Sequence, residues 1–296
     1  MSEPGNDRVS VVTEKGSRDA PLRDATRAHA DVTAPQRWRD RKWLAIVEFA
    51  LVGLIFYADH RGWIPISKTP ELLLLGWISL RVRGLRWRDV GLTRGSPPNS
   101  LEKTRSLGDA ESHESEGSPW KSGASAPRIS PRSGEGFSPG KIVVLGVGLG
   151  AVLEAFQLLV TQPILAKILG RQPDLELFRT LTGNLKMTAL FIALSWTLAA
   201  FGEEMVWRGY LMNRVADVFG RGRAAWVASL VIVSAVFGFA HEYQGLTGWI
   251  EEAIAGLALG LMYLRTRRNL WVPIVAHGVA DTIDMLLIFL GKMPGM

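Results

Sequence analysis

The residues equipped for chemistry crowd into the second half of the chain. Glu203, Glu204 and Arg208 stand in FGEEMVWRGYL, Phe201 to Leu211, a stretch that otherwise reads as membrane helix. Of five histidines, His29, His60 and His113 lie in polar segments, whereas His241 and His277 belong to apolar runs or their edges. Asp281 follows His277 by about one helical turn, and Asp284 lies about one turn further on. An ionisable group inside an apolar run is costly and marks a functional site by default. A lone histidine there would be a hydrogen bond between helices; two histidines accompanied by carboxylates and an arginine point to a site.

Helix geometry separates the roles. Residues four apart lie ~40° apart around the axis. Glu204 and Arg208 can therefore pair, which lowers the cost of burying both charges. Glu203 is turned ~100° from Glu204 and lacks that local partner, so it is free to project into a cavity. Phe237 and His241 share a face, so the ring can wall the imidazole. His277 and Asp281 share another, where the carboxylate can orient the ring or act beside it.

A glutamate and a histidine together can hold and deprotonate a water. A second histidine can stabilise the oxyanion formed when that water attacks an amide carbonyl. These are the parts of a peptidase without a covalent nucleophile. The zinc helix H-E-x-x-H is absent, because His241-Glu242 is followed by Tyr243, Gln244 and Gly245. No serine in the spans sits in a recognisable nucleophile elbow. A transporter would use buried acids and histidines as a proton relay, and the residues alone leave that reading open.

The elements that must position these residues are helices in a bilayer. The chain has 296 residues, 47% of them hydrophobic, gathered in seven runs: Trp43–Tyr57, Leu72–Leu80, Ile142–Val160, Met187–Ala200, Ala224–Ala240, Ile250–Leu264 and Leu270–Leu290. A membrane helix needs about 20 apolar residues, and most runs reach that length with their flanks. They lack the polar face of a soluble bundle helix. The expected fold is all-α, a polytopic transmembrane bundle of about seven spans. The net charge of +6 comes from arginine clusters at span ends: 37–42, 81–88, 214–223 and 265–268. With alternating spans all four fall on one side, which predicts an integral membrane protein with its N-terminus in the cytoplasm; a bacterial plasma membrane is the expected location. The same placement argues against nucleic acid as a partner. There is no cysteine, so thiol chemistry and disulfides are excluded. The first residues carry no apolar core of a cleavable signal.

Residues 1–36 read as a disordered cytoplasmic tail, 37–93 as the first two transmembrane helices, 94–139 as a flexible linker rich in Ser, Gly and Pro, and 140–291 as a catalytic transmembrane bundle. PDLELFRTLTGN, Pro173 to Asn184, reads as a short surface helix.

Three short motifs resemble the CPBP family of intramembrane proteases (CAAX protease and bacteriocin-processing, also called Abi). The family pattern EExxxR, FxxxH and HxxxN or HxxxD reads here as EEMVWR at Glu203–Arg208, FGFAH at Phe237–His241 and HGVAD at His277–Asp281, in order. The resemblance covers roughly 189–290. It implies that Glu203 and His241 activate water, that His277 and Asp281 form the oxyanion side, and that Glu204, Arg208 and Phe237 support the site. An ionised Asp281 cannot donate a hydrogen bond as asparagine would, so it is either protonated or holds the tautomer of His277. Some family members have been called metalloproteases, so Glu203, His241 and His277 are an alternative zinc ligand set; no cofactor is the favoured expectation. The implied partners are a peptide or membrane-protein substrate and the lipid bilayer. Eukaryotic relatives remove a tripeptide after a prenylated cysteine, a substrate the motifs do not carry over. A silent membrane scaffold or immunity protein is the alternative from outside enzymology.

The composition of 94–139 cannot form a core. Replacing that segment with a short Gly/Ser linker is expected to leave peptidase activity in detergent intact. Loss of activity at unchanged expression would assign the segment to the site or to substrate capture.

Overall fold

A computed structural model of the protein describes residues 42–64, 67–93 and 137–296. The expected tail 1–36 and nearly all of the expected linker lie outside the described residues. Ala45–Met296 forms one compact unit, which contains all the contacts below; of the other unit, Met1–Leu44, only the start of the first helix is described.

Each of the seven apolar runs lies on a helix. They are α1 (Lys42–His60), α2 (Thr69–Val82), α3 (Pro139–Leu169), α4 (Leu185–Val218), α5 (Arg223–Phe239), α6 (Gly245–Arg265) and α7 (Trp271–Phe289). No strand occurs among the described residues. The helix starts are legible locally. Ser138 caps α3, accepting from the Lys141 amide, with Pro139 in the first turn, so α3 begins one residue inside the expected linker boundary. Asn184 caps α4, accepting from the Met187 amide. The expected surface helix after Pro173 is a 3-10 turn at Glu176–Leu181.

Four helices are long and apolar enough to span a membrane alone: α1 from Trp43, α3, α4 and α7. With 14 residues α2 is too short, and α5 and α6 pass only as a pair. The contacts show that pair to be a hairpin. Gly238 backs onto Trp249 and Ala253, Gly256 onto Ser234 and Phe237, and Gly260 onto Leu230. One number falls as the other rises, so α5 and α6 run antiparallel. Their outer ends meet where Arg221 and Arg268 both lie against the ring of Trp226. The turn after α2 joins the same end, since Tyr263 donates to the Val90 carbonyl. Three of the four arginine clusters are thereby gathered at one end of the bundle.

Burial is arranged as in a membrane protein. Val144 and Leu159 are more than 70% exposed, while Glu204, Arg208 and Arg214 are at most 2% exposed. Water would penalise that outer surface, whereas hydrocarbon accepts it and forces charge inward. The chain is an all-α polytopic membrane protein.

The core centres on α4. Every residue from Glu204 to Ala216 is buried, with Val52, Leu72, Val233, Phe237, Tyr263, Leu270 and Ile274 packed into the same cluster. A helix apolar nearly all round is the sequence form of such a centre. Within α4, Ser195–Glu203 and Met205–Leu211 are π-helical. That wider winding is rare and collects at functional sites.

Against α7 lies α3. An ideal Cβ on Gly150 would stand 2.4 Å from the Ala276 carbonyl oxygen and 2.9 Å from its Cα. The close approach requires glycine, and it fixes the residue next to His277. Gly148, on the same helix, has open space. Gly150→Ala is therefore expected to destabilise the protein by about 1–3 kcal/mol in thermal unfolding in detergent. Gly148→Ala should be neutral or slightly stabilising. Equal effects of the two would dismiss the α3–α7 contact as the cause.

Candidate active site

Glu204, Arg208 and His277 form the buried centre. Glu204 is fully buried and its Oε1 accepts from Arg208 Nη1 at 2.5 Å and from His277 Nδ1 at 2.9 Å. Arg208 also donates to the Gly256 carbonyl at 3.1 Å, and its guanidinium lies 4.8 Å from the Phe237 ring centroid. The expected Glu204–Arg208 pair is present, but it is not closed on itself: the same carboxylate oxygen fixes His277. The two π-helical segments adjoin at Glu204, so α-helical angles are only a guide to where 203 and 204 point.

Phe237 lies against both histidines. Its centroid is 4.8 Å from that of His241 and 6.3 Å from that of His277. His241 Nδ1 lies 2.9 Å from the Phe237 carbonyl oxygen. A carbonyl only accepts, so Nδ1 carries the hydrogen and the lone pair of His241 is on Nε2. On α7, His277 Nε2 faces Asp281 Oδ1 at 3.6 Å, an ion-pair separation too long for a hydrogen bond. Asp281 Oδ2 instead accepts from Ser195 Oγ on α4.

Counted in residues from the arginine-rich ends, His277 on α7 should be shallower than His241. The α6–α7 connection removes the mismatch. Thr266 and Asn269 are buried, Leu270 is fully buried, and Leu270 packs against Gly209, nine residues inside the end of α4. Nine residues are about 13 Å of helix. His277 thereby comes within hydrogen-bond reach of Glu204.

Glu203 and His241 line one cavity of about 250 Å³ with Ser67, Lys68, Thr69, Leu177, Trp207 and Tyr243. Glu203 lies within electrostatic reach of His241, His277 and Asp281. Its buried Oε2 has no hydrogen-bond partner among the described residues. A larger apolar groove of about 580 Å³, between α1 and α5, adjoins the cavity and shares Asp59, Lys68, Trp207 and Ala240 with it. Lys68 Nζ bridges Asp59 Oδ2 at 2.8 Å and the Ala240 carbonyl at 3.2 Å, beside His241.

Residues 185–283 match the family model described as Type II CAAX prenyl endopeptidase Rce1-like. This segment is a CAAX-protease-family domain. No curated protein and no solved structure gave a match. At family level the match supports an intramembrane endopeptidase.

The matched CAAX-protease segment holds every residue singled out from sequence, from Glu203 to Asp281. Sequence reasoning missed Ser195 and Trp196. Trp196 Nε1 donates to Thr282 Oγ1 at 3.1 Å, and its ring covers Gly278, where a Cβ would come within 2.7 Å. Their one signal is a Ser-Trp pair two turns before the glutamates. Among the described residues, no three His, Cys, Asp or Glu side chains are grouped to hold a metal ion.

Arg208→Met leaves Glu204 ionised in the core, a loss of about 3–5 kcal/mol. The double variant Arg208→Met/Glu204→Gln should unfold at a higher temperature than Arg208→Met alone. It should not recover activity, because His277 loses its anionic partner. Additive losses of stability would argue against the pair.

Proposed function

We propose that the protein hydrolyses a peptide bond at or near the membrane with a water activated by Glu203 and His241. The observation that carries this reading is the unpartnered, buried Oε2 of Glu203 in a polar cavity shared with His241. A buried carboxylate oxygen without a protein donor needs a water or a proton. With Nδ1 of His241 committed to the Phe237 carbonyl, the Nε2 lone pair supports the same water. Glu203 takes the proton as the water oxygen attacks the carbonyl carbon, and the proton passes to the leaving amine when the C–N bond breaks. His277, held by Glu204 and also in contact with Phe237, is the group for the carbonyl oxygen.

The metal-free form is favoured because the H-E-x-x-H helix is absent and because His277 and Asp281 stand 3.6 Å apart, a pair able to act on one substrate oxygen. The apolar groove beside the cavity offers substrate a route from the bilayer, with Lys68 at the junction. The gathering of arginines at one end supports a cytoplasmic N-terminus.

Purified protein on a quenched peptide library tests the proposal. Glu203→Gln should abolish cleavage while the fold persists, because it keeps shape and removes the base. Activity should survive exhaustive chelation without stoichiometric zinc. Near-normal cleavage by the Glu203→Gln variant would exclude Glu203 as base. One zinc per chain, lost and restored together with activity, would make Glu203 a ligand. No cleavage by well-folded wild-type protein would favour the scaffold reading.

A further inference from the structure

We infer that Ser195 is a positioning residue that keeps the Asp281 carboxylate beside His277 without letting it consume the His277 Nε2–H. The inference rests on the proposed peptidase reading and on three contacts. Ser195 Oγ donates to Asp281 Oδ2. The other oxygen, Oδ1, stands 3.6 Å from His277 Nε2. His277 Nδ1 is 2.9 Å from Glu204 Oε1, which also accepts from Arg208.

A carboxylate that accepts from an arginine is ionised, so His277 Nδ1 is the donor to Glu204; Nε2 carries a hydrogen as well in the imidazolium, the form in which His277 can donate to an oxyanion. The remaining nitrogen faces a second carboxylate. At 3.6 Å that carboxylate contributes charge but no hydrogen bond. Were Asp281 free to turn, it would close on Nε2–H and occupy the donor needed by a developing oxyanion. Ser195 opposes that by holding the other oxygen.

The clamp is built into the helix pair. Trp196, the next residue, donates to Thr282, the residue after Asp281, and its ring lies on Gly278, the residue after His277. Two adjacent residues of α4 thus grip α7 along the His277–Asp281 turn, at Gly278, Asp281 and Thr282. Ser195 also opens the π-helical segment that Glu203 closes. One irregular stretch of backbone therefore sets the base at one end and the keeper of Asp281 at the other. This arrangement gives Asp281 a use that needs no proton on it: His277 donates, Asp281 supplies charge, and Ser195 keeps the two apart.

The test combines kinetics with a readout independent of turnover, on wild type, Ser195→Ala, Ser195→Thr, Asp281→Asn and Ser195→Ala/Asp281→Asn. Losing a hydrogen bond to a charged group should cost Ser195→Ala about tenfold to a hundredfold in kcat with KM little changed. Ser195→Thr keeps the hydroxyl and should retain most activity. In the Asp281→Asn background, Ser195→Ala should add little further loss. The ¹⁵N resonances of the His277 ring should shift on Ser195→Ala, as Nε2–H gains a direct bond to Asp281. The same Ser195→Ala change should not shift them in the Asp281→Asn background. Unchanged kcat and unchanged His277 resonances in Ser195→Ala would overturn the inference. So would equal losses in both backgrounds, or a Thr variant as impaired as Ala. If no Glu203-dependent cleavage exists, the peptidase reading fails by that control, and the His277 resonances still decide whether Ser195 governs Asp281.

Discussion

A single carboxylate oxygen, Oε1 of Glu204, is where the helices of the site converge. It accepts from Arg208 on its own helix and from His277 on α7. Arg208 continues to the Gly256 carbonyl of α6 and lies over Phe237 of α5. A fully buried charge left without partners costs several kcal/mol. Moving α7 away from α4 would therefore strip a partner from Glu204, and moving α5 or α6 away would strip one from Arg208. The histidines and Asp281 inherit their positions from that constraint.

A second constraint makes the first geometrically possible. Ionic groups at the centre of a bundle need close approach, and the protein obtains it with small residues. Gly150 brings α3 onto the backbone beside His277, Gly278 receives Trp196, and glycines at 238, 256 and 260 close the α5–α6 hairpin. In a bilayer there is little hydrophobic drive between helices, so such contacts and interhelical hydrogen bonds hold the bundle. The π-helical winding of α4 belongs with this economy. It costs regular hydrogen bonding and occurs in the stretch that carries Ser195, Glu203, Glu204 and Arg208.

The larger apolar groove and the smaller polar cavity divide the surroundings of the site by chemistry. The groove opens between α1 and α5, where apolar side chains face outward as they do over the whole bundle. The cavity holds the groups that can move a proton. Lys68 stands between them, tied to Asp59 and to the carbonyl before His241. An apolar approach that ends at the proposed reaction centre suits a substrate drawn from a membrane.

Much of this was written in the sequence, because its signals are local. Run length and the absence of polar faces determined the seven helices, and residue spacing determined that Glu204 could reach Arg208 and that Phe237 could wall His241. Three motifs in order carried the resemblance to the family whose model matches residues 185–283. What spacing cannot carry is which helix meets which, and at what depth. That Glu204 also binds His277, 73 residues away, follows from a buried α6–α7 connection whose Leu270 packs on Gly209. The hydroxyl on Asp281 comes from Ser195, 86 residues earlier, and no periodicity marks a serine for that task. Glu154 and Glu251 are likewise buried carboxylates that the sequence did not single out. Covalent neighbours fix angles around one helix axis, so the sequence alone determined the pairs within a helix. The contacts between helices depend on how side-chain volumes let axes approach, and only the tertiary structure decided those.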